Sequence, residues 1–295
     1  MESITYCPVC GSDKLSHILK TIDYTVSQEA FSISQCEQCS VRFTVSAPST
    51  VNIGKYYQSE QYISHTNSKQ GLFNKLYQIV RNYSLVSKRK LVCSYANKRS
   101  GLLLDYGCGT GSFLNEMKLN GWTIKGVEPD AGAALKAKML TGSEIGDSSS
   151  LNSLENDSFD VITLWHVLEH VHELHPTVKT LKQKLRTNGV MFVAVPNYQS
   201  FDASYYDRFW AAYDVPRHLY HFSKKSMANL MEANGLKIVN ILPMWFDSFY
   251  VSLLSEKYKK NPLGPIIAFF IGMISNVIAL FKGNSSSLIY VIKPA

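Results

Sequence analysis

From Leu102 to Gly111 the chain reads LLLDYGCGTG. An apolar run closes on Asp105, and Gly107, Gly109 and Gly111 follow at alternate positions. Such a run predicts a buried parallel strand. The glycines permit a tight turn beyond it and let bare backbone approach a ligand. Phe113, Leu114, Met117 and Leu119 then recur with helical spacing, so the loop opens onto a helix N-terminus. That end offers unpaired N–H groups and a positive dipole to a carboxylate or phosphate. Strand, glycine turn and helix together make a nucleotide-type site.

Roughly twenty residues further on, the distance at which a ribose-binding acid is expected, a second strand pattern (Trp122, Ile124, Val127) ends in Glu128, within GVEPD. A carboxylate there is placed to accept from both ribose hydroxyls. The spacing Asp-x-Gly-x-Gly-x-Gly differs from the Gly-x-Gly-x-x-Gly of dinucleotide-binding dehydrogenases. Asp105 would oppose a diphosphate and suits a ligand that carries an ammonium. A dinucleotide enzyme, or a cofactorless domain of the same fold, remains the alternative.

Here the chain resembles the class I S-adenosylmethionine-dependent methyltransferases. The resemblance rests on DYGCGTG, GVEPD, a third-strand end at Gly146-Asp147, FDVITLWHVLEHV (Phe159 to Val171) and GVMFVAVPN (Gly189 to Asn197). It implies an α/β fold with a Rossmann-like, mostly parallel sheet whose last strand is antiparallel. It also implies S-adenosyl-L-methionine as cofactor. Gly107 and Gly109 would border its methionine part, with Asp105 and Gly111 in the same loop. Glu128 would hold the ribose, Asp147 would lie near the adenine N6, and His166 would line the cleft.

With 295 residues and 45% apolar content, the chain can bury one substantial core and a small extra module. The net charge of +7 is spread along the chain and does not by itself indicate a nucleic-acid partner, although Lys88-Arg89-Lys90 with Lys98-Arg99 makes a local basic stretch. MESITYCPVC has no basic n-region and no apolar h-region, so a cytoplasmic location is the expectation. Six cysteines in that setting suggest reduced thiols or metal ligands.

Cys7-Pro-Val-Cys10 and Cys36-Glu-Gln-Cys39 form two C-x-x-C pairs separated by twenty-five residues. Two such knuckles bring four thiolates to the corners of a tetrahedron, as structural zinc requires. Four protein ligands leave no open position, so the ion would hold the fold rather than do chemistry. A redox pair or unligated thiols are the competing readings. His17 is a substitute ligand or a surface residue; Cys93 and Cys108 stand alone.

His166-Val-Leu-Glu169-His170 spells H-x-x-E-H. On a helix its two histidines would share a face and could chelate one metal. The motif directly follows a strand, which argues against a protease and places it at the cleft. Quinone O-methyltransferases with a comparable LEHV stretch suggest an acceptor-side cation by resemblance; helix-capping and cleft-lining residues are the plainer reading. His172 and His175 read as solvated.

The segment Tyr198 to Phe222 emerges beyond the fifth strand, where ligands of open α/β sheets lie. It is rich in groups that stack and exchange protons. Its PRHLYHFS (Pro216 to Ser223) resembles nucleotide-sugar C-methyltransferases, which also carry an N-terminal four-cysteine zinc module; His218 falls on their base. Val215 replaces the tyrosine of their pair, and their long C-terminal domain has no counterpart in this chain. The competing reading makes His218 and His221 packing at a helix start.

Leu236 to Leu242 and Leu288 to Ile292 read as the last two strands, with about forty-five residues between them where a short hairpin would suffice. Within them Pro265 to Phe281 is almost wholly apolar, flanked by Lys257, Lys259, Lys260 and Lys282. The chain must return to the same sheet, so a helix or helical hairpin in a membrane interface fits better than a span. A dimer face or a lid over the acceptor are the alternatives.

The resulting expectation is a zinc ribbon (1–45), a helical connector or lid (46–100) and a methyltransferase domain (101–295), with an aromatic acceptor segment (198–222) and an apolar insertion (246–286). The expected partner is a small or lipid-linked acceptor, sugar or quinone-like, methylated on oxygen or carbon, with a membrane surface contacted through 265–281 and a homodimer open. No nucleic acid is expected, because an apolar insertion is a poor nucleic-acid face. An RNA methyltransferase with a zinc module and a noncatalytic scaffold are the alternatives.

Overall fold

The computed structural model describes residues 5–57 and 72–295, with side chains in the second stretch from residue 78 onward. The predicted pattern over Leu72, Phe73, Leu76 and Tyr77 is helical in backbone, and its side chains lie outside the described residues.

Three antiparallel strands, β1 (Leu15–Ile22), β2 (Ala30–Cys36) and β3 (Arg42–Val45), open the chain. Their sheet takes its fourth strand from far along the sequence. β9 (Tyr220–His221) pairs with β3, Arg42 opposite His221 and Phe43 opposite Tyr220. The N-terminal module is thus completed by the aromatic segment.

The main sheet contains β4 (Leu102–Tyr106), β5 (Thr123–Val127), β6 (Ile145–Gly146), β7 (Phe159–Trp165), β8 (Leu185–Pro196), β10 (Leu236–Pro243) and β11 (Ser287–Pro294). Its order is β10-β11-β8-β7-β4-β5-β6. β4 to β8 are parallel, and β11 runs antiparallel between β8 and β10, as the resemblance implied.

The strands are apolar on both faces because helices cover both. On one side α1 (Leu72–Ala96), α2 (Ser112–Leu119) and α3 (Ala131–Thr141) pack on Leu103, Val161, Val190 and Phe192. On the other, α4 (Leu174–Lys184) and α6 (Lys224–Ala233) pack on Leu104, Ile162, Met191 and Val193. Neighbouring residues of one strand serve opposite layers, which is the period of two at work.

A third core joins the N-terminal module, the aromatic segment and the apolar insertion, with Phe31, Ile33, Tyr56, Tyr206, Trp210, Val251 and Ile271 among its members. The aromatic segment begins with α5 (Phe201–Tyr206), and the insertion is a hairpin of α7 (Asp247–Tyr258) and α8 (Gly264–Lys282). The buried Arg217 guanidinium sits at this junction. It donates to Asp23 Oδ1 at 3.0 Å, Asp214 Oδ1 at 2.7 Å and the Tyr56 carbonyl at 2.7 Å. Burial alone would raise the Asp23 carboxyl, but Arg217 and the Ser27 amide hold it at about 2.

Candidate active site

β4 presents Asp105 at its carboxyl end, where the glycine turn begins. The side chain is buried, and Oδ1 accepts from Thr163 Oγ1 of β7 at 2.6 Å. Burial pushes this carboxyl up to about 7, against the pull of that hydrogen bond and of Lys88. The amides of Gly107 and Cys108 both donate to the Val127 carbonyl, at 2.7 and 3.1 Å, drawing the loop onto the end of β5. Gly107 has φ +76°, and a Cβ there would lie 2.4 Å from Val167 Cγ2. The turn therefore needs glycine twice over, for its left-handed backbone and for the chain crossing above it.

Glu128 closes the turn from the other side. Its Oε2 accepts from the Gly109 amide at 2.7 Å and its Oε1 from the Asp130 amide at 3.0 Å. Burial holds this carboxyl above the usual range. Each oxygen keeps acceptor capacity for a ligand hydroxyl. Gly111, at φ +78°, is the N-cap of α2. Asp147 directly follows β6 and caps the 3-10 turn Ser148–Ser153, where Oδ1 accepts from the Ser149 and Ser150 amides at 2.9 and 3.1 Å. Four strand ends thus bring Asp105, the glycine loop, Glu128, Asp147 and the start of the H-x-x-E-H stretch to one edge of the sheet.

That stretch is not the helix expected. His166 has φ +59°, and its amide donates to the Ala194 carbonyl at 2.9 Å, extending the strand pairing. Only Leu168–His170 turns, as a 3-10 segment. His166 and His170 therefore do not share a face. His166 Nε2 lies 3.1 Å from Asp247 Oδ2, and Nδ1 lies 3.4 Å from Glu169 Oε1. Burial opposes its charge, yet these two carboxylates hold the imidazole at about 9, so it is cationic at neutral pH.

Glu169 and His170 meet His218 instead, with one ligand atom from each lying within 4.8 Å of the others. Glu169 is fully buried, and apart from His166 neither carboxylate oxygen meets a hydrogen-bond donor among the described residues. His218 Nδ1 lies 2.8 Å from the Ala212 carbonyl and His170 Nδ1 lies 3.0 Å from the Arg217 carbonyl. A carbonyl partner assigns the ring proton to Nδ1 and leaves each Nε2 with a lone pair. Burial, with the His218 ring packed 4.6 Å away, depresses His170 to about 4. His221 packs against Tyr213 and is pushed down by burial.

Two site residues escaped the sequence reading. Lys88 of α1 lies 4.4 Å over the Trp165 ring and faces the charges of Asp105 and Asp247. Asp247 holds His166 across 81 residues of chain. The basic run around Lys88 was a visible signal; Asp247 had none. His172 and His175, expected to be solvated, instead meet the carbonyls of Pro48 and Val9 at 3.0 Å each and pin the N-terminal module.

In that module Cys7 Sγ lies 3.4 Å from Cys39 Sγ, and Cys10 Sγ lies 3.6 Å from Cys36 Sγ. All four sulfurs fall within 4.8 Å of one another. Zinc–sulfur bonds of 2.3 Å in a tetrahedron require sulfurs about 3.8 Å apart, so the donor set fits that ion. The knuckles are alike: Gly11 and Ser40 donate to the carbonyls of Cys7 and Cys36, 2.9 Å each, from left-handed backbone. His17 is exposed and stands apart from this cluster.

The pattern of the methyltransferase-domain family matches residues 77–241, more than half of the chain. A ubiquinone biosynthesis O-methyltransferase of Rickettsia prowazekii is 25% identical over 157 residues, 48% of this chain and 59% of that protein. One from Glaesserella parasuis is 29% identical over 120 residues, 35% of this chain and 51% of that protein. The chain thus spans between about half and three-fifths of these relatives. A solved S-adenosylmethionine-dependent methyltransferase of Archaeoglobus fulgidus shares the fold, with TM-score 0.50 and 19% identity over 73% of this chain and 94% of that one.

Proposed function

Because the chain belongs to the methyltransferase-domain family, we propose that it transfers a methyl group from S-adenosylmethionine to a hydroxyl oxygen of a quinone-like acceptor. The observation that carries this reading is the glycine loop, held by Glu128 through the Gly109 amide and opening directly beyond the buried Asp105. The O-methyltransferase names of the relatives support the acceptor class. When bound, S-adenosylmethionine supplies an electrophilic methyl group on a sulfonium.

Asp105 would meet the ligand's ammonium, and the charge gained there would offset the cost of ionising a buried carboxyl. Glu128 would accept from the ribose hydroxyls, Asp147 would take the adenine amino group, and Gly107, Gly109 and Gly111 would let the backbone approach. The imidazolium of His166 ties the cleft wall to α7 through Asp247. His218 is the base: Nδ1–H is held by the Ala212 carbonyl, so Nε2 receives the acceptor's proton, and the neighbouring Glu169 carboxylate stabilises the imidazolium formed. Alignment and exclusion of water do the rest. Cys7, Cys10, Cys36 and Cys39 would hold a structural zinc ion.

The buried Glu169 carboxylate, whose nearest cation is His166 at 3.4 Å, favours a second reading of the same cluster, in which Glu169, His170 and His218 would hold a divalent cation that polarises the acceptor oxygen.

Calorimetry with S-adenosylmethionine tests the proposal. The expected result is micromolar binding, lost in Asp105→Ala and Glu128→Ala. Transfer of labelled methyl to a catechol-type hydroxyl should fall by about 10²–10⁴-fold in His218→Ala. Dependence of that transfer on added Mg²⁺, with zinc retained, would select the cation over the base. No binding by folded, zinc-loaded wild type overturns the assignment, and binding without transfer leaves a scaffold.

A further inference from the structure

The α7–α8 hairpin is built inside out. The inward face of α8 is lined by Gly264, Ala268, Gly272, Ser275 and Ala279, with Ile271 the one large residue. A Cβ on Gly272 would lie 2.7 Å from Phe249, so the two helices touch almost backbone to backbone. The large residues point the other way: Ile266, Phe269, Phe270, Val277, Leu280 and Phe281 are all exposed, Phe281 at 86%. At 100° per residue they cover about 120° of the helix, along a rod of roughly 28 Å. Soluble surface helices carry polar residues on that face, and a contiguous apolar stripe of this extent marks a docking surface.

Charge identifies what docks. No charged residue occurs from Asn261 to Phe281, and lysines stand at both ends: Lys260 before the helix, Lys282 at its last turn, with Lys224 beside Gly283. Between Ser248 and Ser286 the single acid is Glu256, which is buried. A second copy of this chain would set lysine against lysine in either a parallel or an antiparallel pairing. A plane of anionic headgroups satisfies both ends at once. The inner face also bars a span across the bilayer. Ser275 Oγ donates to Asp202 at 2.7 Å and Ser248 Oγ to the Gly272 carbonyl at 3.2 Å, so α8 is bound along its length to the domain.

We propose that the outward face of α8 seats the molecule on an anionic bilayer, the helix lying in the membrane plane. The cleft sits at the edge of this surface. Asn276 holds the Trp245 carbonyl at 2.7 Å, Trp245 and Phe246 are exposed, and the next residue, Asp247, grips His166. Phe246 also stacks edge-on against Tyr83 of α1, with ring centroids 5.7 Å apart. An amphipathic acceptor dissolved in the bilayer would meet the cleft without crossing water.

Flotation of the full chain with phosphatidylcholine vesicles, with and without about one-third phosphatidylglycerol, tests this independently of any methyl transfer. The wild type should float with the anionic vesicles. Phe270→Ser/Phe281→Ser should weaken this about tenfold or more, and Lys260→Gln/Lys282→Gln should remove the preference for anionic lipid. Both variants should keep the wild-type melting temperature and S-adenosylmethionine binding, because the side chains replaced are exposed. Wild type that stays with the bulk, or floats equally after the double serine change, overturns the proposal. So does a dimer in sedimentation that the same change dissociates.

Discussion

A buried carboxyl with a value near 7 is a proton store, and Asp105 is that group in the cleft. Its folded value lies above the ordinary carboxylate value, so the folded chain holds this proton more tightly than the unfolded one. Its contribution to stability therefore falls as pH rises from about 4 to about 7, and the cost persists above that. Asp105→Asn should raise the melting temperature of the ligand-free protein at pH 8 and leave it nearly unchanged at pH 4. Binding of an ammonium-bearing ligand should expel the proton near neutrality. Calorimetry in buffers of different ionisation enthalpy would read that release, and the asparagine variant should lose it. The position of Asp105, at the end of a strand and the start of the glycine turn, was legible from an apolar run before glycines. Its value near 7 was not, because burial depends on α1 and β7 closing around it.

At the scale of the element, the hairpin shows how a few polar anchors hold an apolar helix in place. Asp202 of α5 is buried and accepts from Ser275 of α8 at 2.7 Å, Trp210 Nε1 at 2.8 Å and Ser286 at 2.7 Å. Asp202→Ala would leave three buried donors without their partner and should destabilise by about 3 kcal/mol or more, measured by urea unfolding. The apolar run announced a helix or a helical hairpin; it is one helix, Gly264–Lys282, whose hairpin partner precedes the run. Which face turned outward was hidden, since large residues fall on both sides of the pattern; the small residues that line the inner face matter only once α7 is packed there. The H-x-x-E-H stretch failed the other way. Its i, i+4 spacing promised a helical face, but pairing of His166 with β8 and the crossing over Gly107 forced a 3-10 turn.

At the scale of the whole molecule, the N-terminal module is no appendage. β9 completes its sheet, Arg217 is sealed between Asp23 and Asp214, and His170 lies 3.1 Å from the Tyr57 hydroxyl. The proposed zinc site predicts about one ion per chain in wild type by elemental analysis, and its loss on removal of one ligand by Cys10→Ser. Because the third core spans module and domain, calorimetry should show a single cooperative transition in wild type, moved down as a whole in the variant, rather than an early melt of the module alone.

Local chemistry wrote part of this molecule directly into the chain. An apolar run before alternating glycines specifies a strand, a turn and a helix start, and each C-x-x-C pair specifies a knuckle, because each is decided by residues a few positions apart. The partner of His166, the meeting of Glu169 with His218, the fourth strand of the N-terminal sheet and the outward side of α8 are decided by residues tens to nearly two hundred positions apart. Period and propensity fall silent at that range, where the winner is whichever packing buries the most apolar surface while leaving the fewest polar groups unpaired.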